Sequence, residues 1–129
     1  MDILSNYTLD GNITASGTLS TGPASLLTGT SGVTLTGRAV TMSGNFNLSG
    51  AITIASTSGE IDLEGVGTSS SPAEASSITL NSAGPVVLEN SYLATRGGDF
   101  DATGTGNTTL NQNGITITNS CLLYTSRCV

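Results

Sequence analysis

The sequence predicts an all-β fold, a β-solenoid in which short strands stack coil upon coil. A phrase of three residues, apolar then polar then apolar, returns along the chain and is closed by Gly or a small polar residue, as in Ile61-Asp62-Leu63. Alternation with a period of two is typical of a strand with one buried face. Because a strand of three residues cannot hold a sheet alone, the copies must stack and share one core. The phrase occupies residues 33–35, 40–42, 46–48, 52–54, 61–63, 78–80 and 115–117.

The spacing of the phrases predicts the size of a coil. Between residues 33 and 54 the phrases begin at Val33, Val40, Phe46 and Ile52, six or seven positions apart. Three such steps give a coil of about 19 residues with three short strands and three corners. We therefore expect Val33 and Ile52 to lie one above the other, about 4.8 Å apart.

The chain divides into three parts, of which the last is residues 121–129. Residues 1–32 carry weaker phrases and are expected to be irregular or to form early coils, and residues 33–120 are expected to form repeat coils. A longer similarity aligns residues 59–67 with residues 98–106, and the polar loop after the first of these, residues 68–77, predicts an insertion at a corner.

Helix is not expected, because Thr, Ser, Asn and Gly are poor helix formers and no segment carries a helical apolar stripe. A single turn at residues 72–76 is the one exception that the sequence allows.

Residues 121–129 break the pattern and contain both cysteines, Cys121 and Cys128. This segment resembles adapter-derived sequence read through at the ends of environmental translations, which implies a non-native tail that does not continue the strand ladder. The alternative is a final irregular coil with a disulfide. Residues 1–4 show neither a basic nor an apolar leader, so if the protein is secreted, its signal is expected upstream of this piece.

Charge and composition exclude several classes of function. The net charge is −6, and the three basic residues are all Arg. No basic patch can displace phosphate counterions, so we expect no nucleic acid partner. No apolar run approaches the ~20 residues of a membrane helix, so we expect no membrane insertion. The absence of His excludes Ser-His-Asp and Cys-His mechanisms.

Two longer phrases carry a family resemblance. Residues 59–67 (GEIDLEGVG) and 96–107 (RGGDFDATGTGN), the latter followed by residues 113–120 (NGITITNS), resemble the repeats of filamentous-haemagglutinin-like exoproteins of the two-partner secretion class. The resemblance covers roughly residues 30–120. It implies a right-handed parallel β-helix that is a fragment of a longer array, export through an outer-membrane transporter, and a secreted or cell-surface location.

The resemblance also implies a role. We expect a structural stalk segment of a bacterial surface adhesin, which acts in display and adhesion and has no catalytic activity. Its expected partners are the neighbouring coils of the same chain, the outer-membrane transporter during export, and glycans of a host cell or surface.

Carboxylates alternate with apolar residues in two places and are weak candidates for a Ca²⁺ site. Glu60, Asp62 and Glu64 should share the outer face of one strand, and Asp99 and Asp101 should flank Phe100 in the same way. If the two rows stack near each other, they form an acidic strip whose oxygens suit Ca²⁺. Because nothing matches a calcium repeat, the expectation is that no cofactor or metal is bound.

Two other functions stay open as alternatives. The fold is shared with β-helix polysaccharide lyases and hydrolases. Hydrolysis would use a pair of carboxylates, Asp62 or Asp101 with a neighbour, and a lyase would use Arg38 or Arg96 as the base beside bound Ca²⁺.

A carbohydrate- or ice-binding solenoid would instead use outward threonines. Thr34 with Thr36, and Thr116 with Thr118, form Thr-x-Thr pairs. Regular binding arrays need many such pairs, and the sequence shows them interrupted by Thr53, Asp62 and Thr79. Threonine also simply suits an exposed strand position.

Overall fold

The computed structural model describes residues 1–104, 109–110, 116–118, 122–124 and 127–128 of the chain, with side chains up to Gly104. The described part is all β and contains no helix. Its strands are β1 (Asp2–Ile3), β2 (Tyr7–Thr8), β3 (Ile13–Thr14), β4 (Leu19–Thr21), β5 (Leu26–Gly29), β6 (Val33–Gly37), β7 (Val40–Leu48), β8 (Ile52–Ser56), β9 (Ile61–Val66), β10 (Ala73–Ala75), β11 (Ile78–Asn81), β12 (Val86–Glu89), β13 (Tyr92–Thr95), β14 (Phe100–Thr103), β15 (Thr109–Leu110), β16 (Thr116–Thr118), β17 (Leu122–Tyr124) and β18 (Arg127–Cys128).

The strands stack in parallel as a β-solenoid of about five turns, with three columns of strands around one core. Face 1 contains β1, β4, the start of β7, β9, β12 and β15, and face 2 contains β2, β5, the end of β7, β10, β13 and β16. Face 3 contains β3, β6, β8, β11, β14 and β17. Each coil crosses the three faces in order, so neighbouring coils of the same chain contact one another along all three.

The predicted register is confirmed at its most regular point. Val33 lies opposite Ile52, as the spacing of the phrases requires. The next coil is longer, because Ile52 lies opposite Ile78. Coil length therefore varies while the strands stay aligned. Residues 1–32 also form coils, since β1 to β5 pair with strands of the following coils.

The core lies between the three faces and is built from the alternate residues of the phrases. Alternation with a period of two predicts that nine apolar residues with described side chains point inward, and all are fully buried: Ile52, Ile54, Ile61, Leu63, Ile78, Leu80, Val86, Leu88 and Phe100. The outward residues Thr53, Asp62, Thr79 and Asp101 are partly exposed. The side chains of Leu110, Ile115, Thr116 and Ile117 lie outside the described residues. Period-two alternation thus assigns the inward and outward sides of each strand.

The corner between face 1 and face 2 needs a glycine in the third coil. β7 turns this corner without ending, and its register with β9 shifts between Met42 and Gly44. Gly44 has φ of 85°, and a Cβ atom there would lie 2.5 Å from the carbonyl oxygen of Gly22. Glycine alone tolerates both the positive φ and the close approach of the coil below.

The polar insertion lies at a corner as predicted, but it is shorter than residues 68–77. It occupies the connection from β9 to β10, and residues 73–75 already form a strand that pairs with β13 and β7. The prediction of a single helical turn at residues 72–76 is therefore wrong. Ala73 and Ala75 are buried and Glu74 between them is partly exposed, which is the alternation of the other strands, so this segment packs as a strand and not as a helix.

The end of the described chain differs from the prediction of a tail outside the ladder. β17 pairs in parallel with β14, and β18 turns back antiparallel to β17. The ladder of face 3 therefore continues through residues 122–124. The Cys121 position and the side chain of Cys128 lie outside the described residues, so the disulfide alternative stays a prediction.

A matched pair of substitutions on β8 tests the inward and outward assignment. Ile54 is fully buried between Leu35 and Leu80, so Ile54→Ala should lower the free energy of unfolding by about 2–5 kcal/mol. Thr53→Ala, on the outer side of the same strand, should change it by about 0.5 kcal/mol or less. Urea unfolding followed by circular dichroism measures both, and equal losses would contradict the assignment.

Candidate functional site

A row of carboxylates crosses the outer side of face 1. Asp62 and Glu64 lie on β9, with Glu60 directly before the strand, and Glu89 lies on β12 in register with Glu64. Asp62 has Thr41 on one side and Val87 on the other. Glu89 was not among the sequence candidates. Its position beside Glu64 follows from the coil register, which the local pattern does not contain.

The surroundings of Asp62 shift the pKa of its carboxyl group. Burial raises the pKa of Asp62 above its usual value of 3.8. The negative charges of Glu60, Glu64 and Glu89 raise the same pKa further. All these influences disfavour the ionised form, so the charge on Asp62 costs stability at neutral pH.

The structure does not bring the two predicted acidic rows together. Asp101 lies on β14 in face 3, beside Thr79, and Asp99 directly precedes that strand, whereas Glu60 and Asp62 belong to face 1. The two similar phrases, which begin near residues 59 and 98, therefore lie on different faces. An apolar-polar-apolar phrase can form a strand on any of the three faces. Which strands stack on one another depends on the number of residues in each coil. The true partner of β9 in the next coil is β12.

A Ca²⁺ site would need several oxygen ligands to converge on one point. In the described part of the chain, no three or more Asp, Glu, His or Cys side chains converge as a group that could hold a metal ion. Asp62 and Asp101 lie on separate faces, and the carboxylates that act on Asp62 are those of Glu60, Glu64 and Glu89.

Arg96 makes contacts that the sequence did not indicate. It follows β13 on face 2, and its Nη2 atom lies 3.0 Å from Glu74 Oε2 and 2.6 Å from Asn47 Oδ1. Its Nη1 atom donates to the carbonyl oxygen of Leu48. Asn47 and Leu48, Glu74 and Arg96 belong to three successive coils, so one guanidinium links all three. The contact depends on coil register and corner length, and no local sequence signal marks it.

Arg38 lies elsewhere, at the corner between face 3 and face 1. It lines a shallow open hollow of about 410 Å³ together with Gly17, Thr18, Ala39, Ser58 and Gly59. Among the described residues, Arg38 forms no ion pair. The two arginines that were considered as lyase bases are therefore at different corners of the solenoid.

A second hollow of about 260 Å³ lies beside the inserted corner. The amide of Asn45 donates to the carbonyl oxygen of Ser71 at 3.0 Å, which ties the insertion to β7. Glu74 lies at the rim of the same hollow, and its carboxylate is already paired with Arg96. The lining residues are Leu26, Asn45, Asn47, Ser70, Ser71, Pro72 and Glu74.

The outward threonines prove more ordered than the sequence suggested. Thr34, Thr53 and Thr79 lie in register on face 3, so Thr53 and Thr79 continue the column that Thr34 begins. Asp62 lies on another face and does not interrupt it. The backbone of Thr116 and Thr118 belongs to face 2, so that pair does not extend the array.

Comparisons with protein-family models, with curated proteins and with solved structures give no match. Among the described residues, no helix is long and apolar enough to cross a membrane.

The raised pKa of Asp62 predicts a pH-dependent effect of Asp62→Asn. Because ionised Asp62 destabilises the folded state, the variant should melt at a higher temperature than the native chain at pH 7. The gain should shrink as the pH falls through the folded-state pKa and vanish below the usual value of 3.8, where Asp62 is protonated in both states. Melting curves between pH 3 and pH 8 measure this.

Asp10→Asn is the matched control, because Asp10 is an exposed corner residue outside the acidic row. A stabilisation by Asp62→Asn that does not depend on pH, or one reproduced by Asp10→Asn, would contradict the assigned cause.

The contacts of Arg96 predict that Arg96→Met lowers the free energy of unfolding by about 1–2 kcal/mol. Most of this should come from hydrogen bonds to Leu48 and Asn47, because Arg96 and Glu74 are 40% and 38% exposed and water screens their ion pair. Arg38→Met, at an exposed arginine outside such a link, should change stability by about 0.5 kcal/mol or less. Urea unfolding of both variants distinguishes the two arginines, and equal effects would rule out the link.

Proposed function

We propose that this chain is a structural segment of the stalk of a large secreted bacterial surface protein, similar to filamentous-haemagglutinin-like exoproteins. Its role is to extend a rod that displays adhesive parts and contributes to adhesion, without catalysis. The observation that carries the proposal is the stack itself: short parallel strands in three columns around one continuous apolar core. Such a stack lengthens by repetition, since each coil contacts mainly its neighbours.

The dimensions suit a rod segment. Parallel strands lie about 4.8 Å apart, so the six levels of strands in each face span about 24 Å along the axis. The row of carboxylates, the Arg96 contacts and the two hollows are local features of individual corners or faces. These features fit a surface that varies along a uniform core.

The first coil of this chain carries features of a contact surface. In the described structure β1, β2 and β3 each pair with a strand on one side. The same coil holds the large exposed apolar side chains Met1, Leu4 and Tyr7, which are 53%, 68% and 47% exposed. Open strand edges beside apolar side chains are templates for pairing with a further strand.

The proposal predicts that this chain, purified as it stands, associates end to end. Light scattering should show species larger than a monomer that grow with protein concentration, and electron microscopy should show short rods. Leu4→Lys together with Tyr7→Lys should shift the distribution toward monomer, because two charges then lie at the edge of the first coil.

Thr57→Lys is the control, because Thr57 is an exposed corner residue of the third coil, away from that edge. A chain that stays monomeric at high concentration would contradict the stalk segment. Release of reducing or unsaturated sugar ends from pectin-like substrates, lost in Asp62→Asn or Asp101→Asn, would favour the polysaccharide enzyme instead.

A further inference from the structure

One corner of the first coil joins an aspartate directly to a glycine. Asp10 and Gly11 lie between β2 on face 2 and β3 on face 3, and both residues are exposed. A Cβ atom built on Gly11 would meet no other atom within 4 Å. The corner therefore has open space around it, and no side chain shields the peptide nitrogen of Gly11.

The two polar groups of this pair are not held by the rest of the protein. In the described part of the chain, the amide nitrogen of Gly11 donates no hydrogen bond and the carboxylate of Asp10 has no partner. The residues on either side are anchored to the second coil, through the amide of Leu9 at 2.7 Å and the side-chain oxygen of Asn12 at 2.8 Å. The unheld segment is thus the Asp-Gly pair itself.

Asp10 differs in this respect from the other aspartates of the chain. It is the only one that a glycine follows, and the others precede Ile, Leu, Phe and Ala: Asp2, Asp62, Asp99 and Asp101. Three of those four lie within strands, and Asp99 directly precedes one. A strand fixes the backbone through its ladder, and a following side chain crowds the peptide nitrogen.

We propose that Asp10 is a site of spontaneous isomerisation, at which aspartate converts to isoaspartate without an enzyme. The peptide nitrogen of Gly11 attacks the side-chain carboxyl carbon of Asp10, and a new C–N bond closes a five-membered succinimide ring. The hydroxyl of the protonated carboxyl group leaves and takes the proton of the nitrogen with it, as water. Glycine favours this closure because, without a Cβ atom, its backbone reaches conformations that other residues disfavour.

Hydrolysis of the succinimide completes the change. Water that attacks the side-chain carbonyl carbon restores aspartate, whereas water that attacks the main-chain carbonyl carbon leaves Gly11 attached through the side chain of residue 10, which is isoaspartate. The water lost in the first step is regained in the second, so the mass is unchanged and nothing is oxidised or reduced. The main chain becomes longer by one methylene group.

The added methylene group falls where the first coil has little support. In the described structure β3, which follows this corner, pairs with β6 on one side. Asn12, whose side-chain oxygen accepts from the amide of Thr34, directly follows Gly11. A longer corner displaces Asn12 and the start of β3 relative to the second coil, so isomerisation loosens the first coil as the protein ages.

The experiment follows the freshly purified chain during incubation at 37 °C and pH 7. Samples are denatured and digested with an endoproteinase that cleaves before aspartate and not before isoaspartate, so association of the chain does not affect the readout. Cleavage before Asp10 should be lost at least about tenfold faster than cleavage before Asp62 or Asp101, with no change in mass.

Two glycine substitutions form the matched pair. Gly11→Val should slow the loss of cleavage before Asp10 by at least about tenfold, because a β-branched side chain crowds the attacking nitrogen. Gly17→Val should leave it unchanged, because Gly17 follows Ser16. Both glycines have open space for a Cβ atom and a φ outside the left-handed range, so both variants should fold. Circular dichroism checks this, and Gly11→Ala replaces Gly11→Val if the latter does not fold.

Hydrogen exchange tests the effect on the first coil. Exchange of the Thr34 amide should become faster in proportion to the isoaspartate formed, whereas the Val33 amide, which donates to Ala51 in the next coil at 2.9 Å, should keep its rate. The Asn113→Gln background removes the Asn-Gly pair of the sequence, which closes the same ring with loss of ammonia.

Each outcome bears on one part of the proposal. Loss of cleavage before Asp10 that is no faster than before Asp62, or that is equally fast in Gly11→Val, would overturn the modification site. Unchanged exchange of the Thr34 amide in a chain that has largely isomerised would overturn the loosening of the first coil.

Discussion

The whole structure depends on the parallel backbone ladder between successive coils. A strand such as β3 or β10, two or three residues long, has no stability of its own, and it exists because strands of adjoining coils satisfy its backbone groups. The ladder in turn places inward residues directly over one another, so that Val33, Ile52 and Ile78 form a continuous apolar column. Burial of that column is what compensates for ordering so many short segments.

Because the ladder constrains the strands alone, the corners are free to differ. β7 passes one corner without interruption, whereas the six residues 67–72 make the same passage between β9 and β10. The three faces consequently diverge in chemistry over a common backbone. Face 1 accumulates carboxylates, face 2 is crossed by the Arg96 contacts, and face 3 keeps uncharged threonines in register.

Alternation of apolar and polar residues was sufficient to predict the fold class, the inward residues of the described coils and the vertical pairing of Val33 with Ile52. It was not sufficient to place a phrase on a particular face. The phrases at Ile61 and Phe100 are similar in sequence and lie on different faces. Because the corners differ in length, the spacing between two similar phrases does not tell which face each one occupies. Contacts such as Arg96 with Glu74, and the neighbouring positions of Glu64 and Glu89, depend on that position and were therefore missed. The column from Thr34 to Thr79 was hidden for the same reason.

The Arg96 contacts have a consequence for how the solenoid carries load. A force along the axis would peel a simple stack one coil at a time, since each separation breaks the bonds of a single interface. The guanidinium of Arg96 reaches past the adjoining coil to Leu48 in the coil beyond it. Detaching the coil of Arg96 therefore breaks bonds with two other coils together, so these contacts make the separation of three coils more cooperative than the backbone ladder alone would.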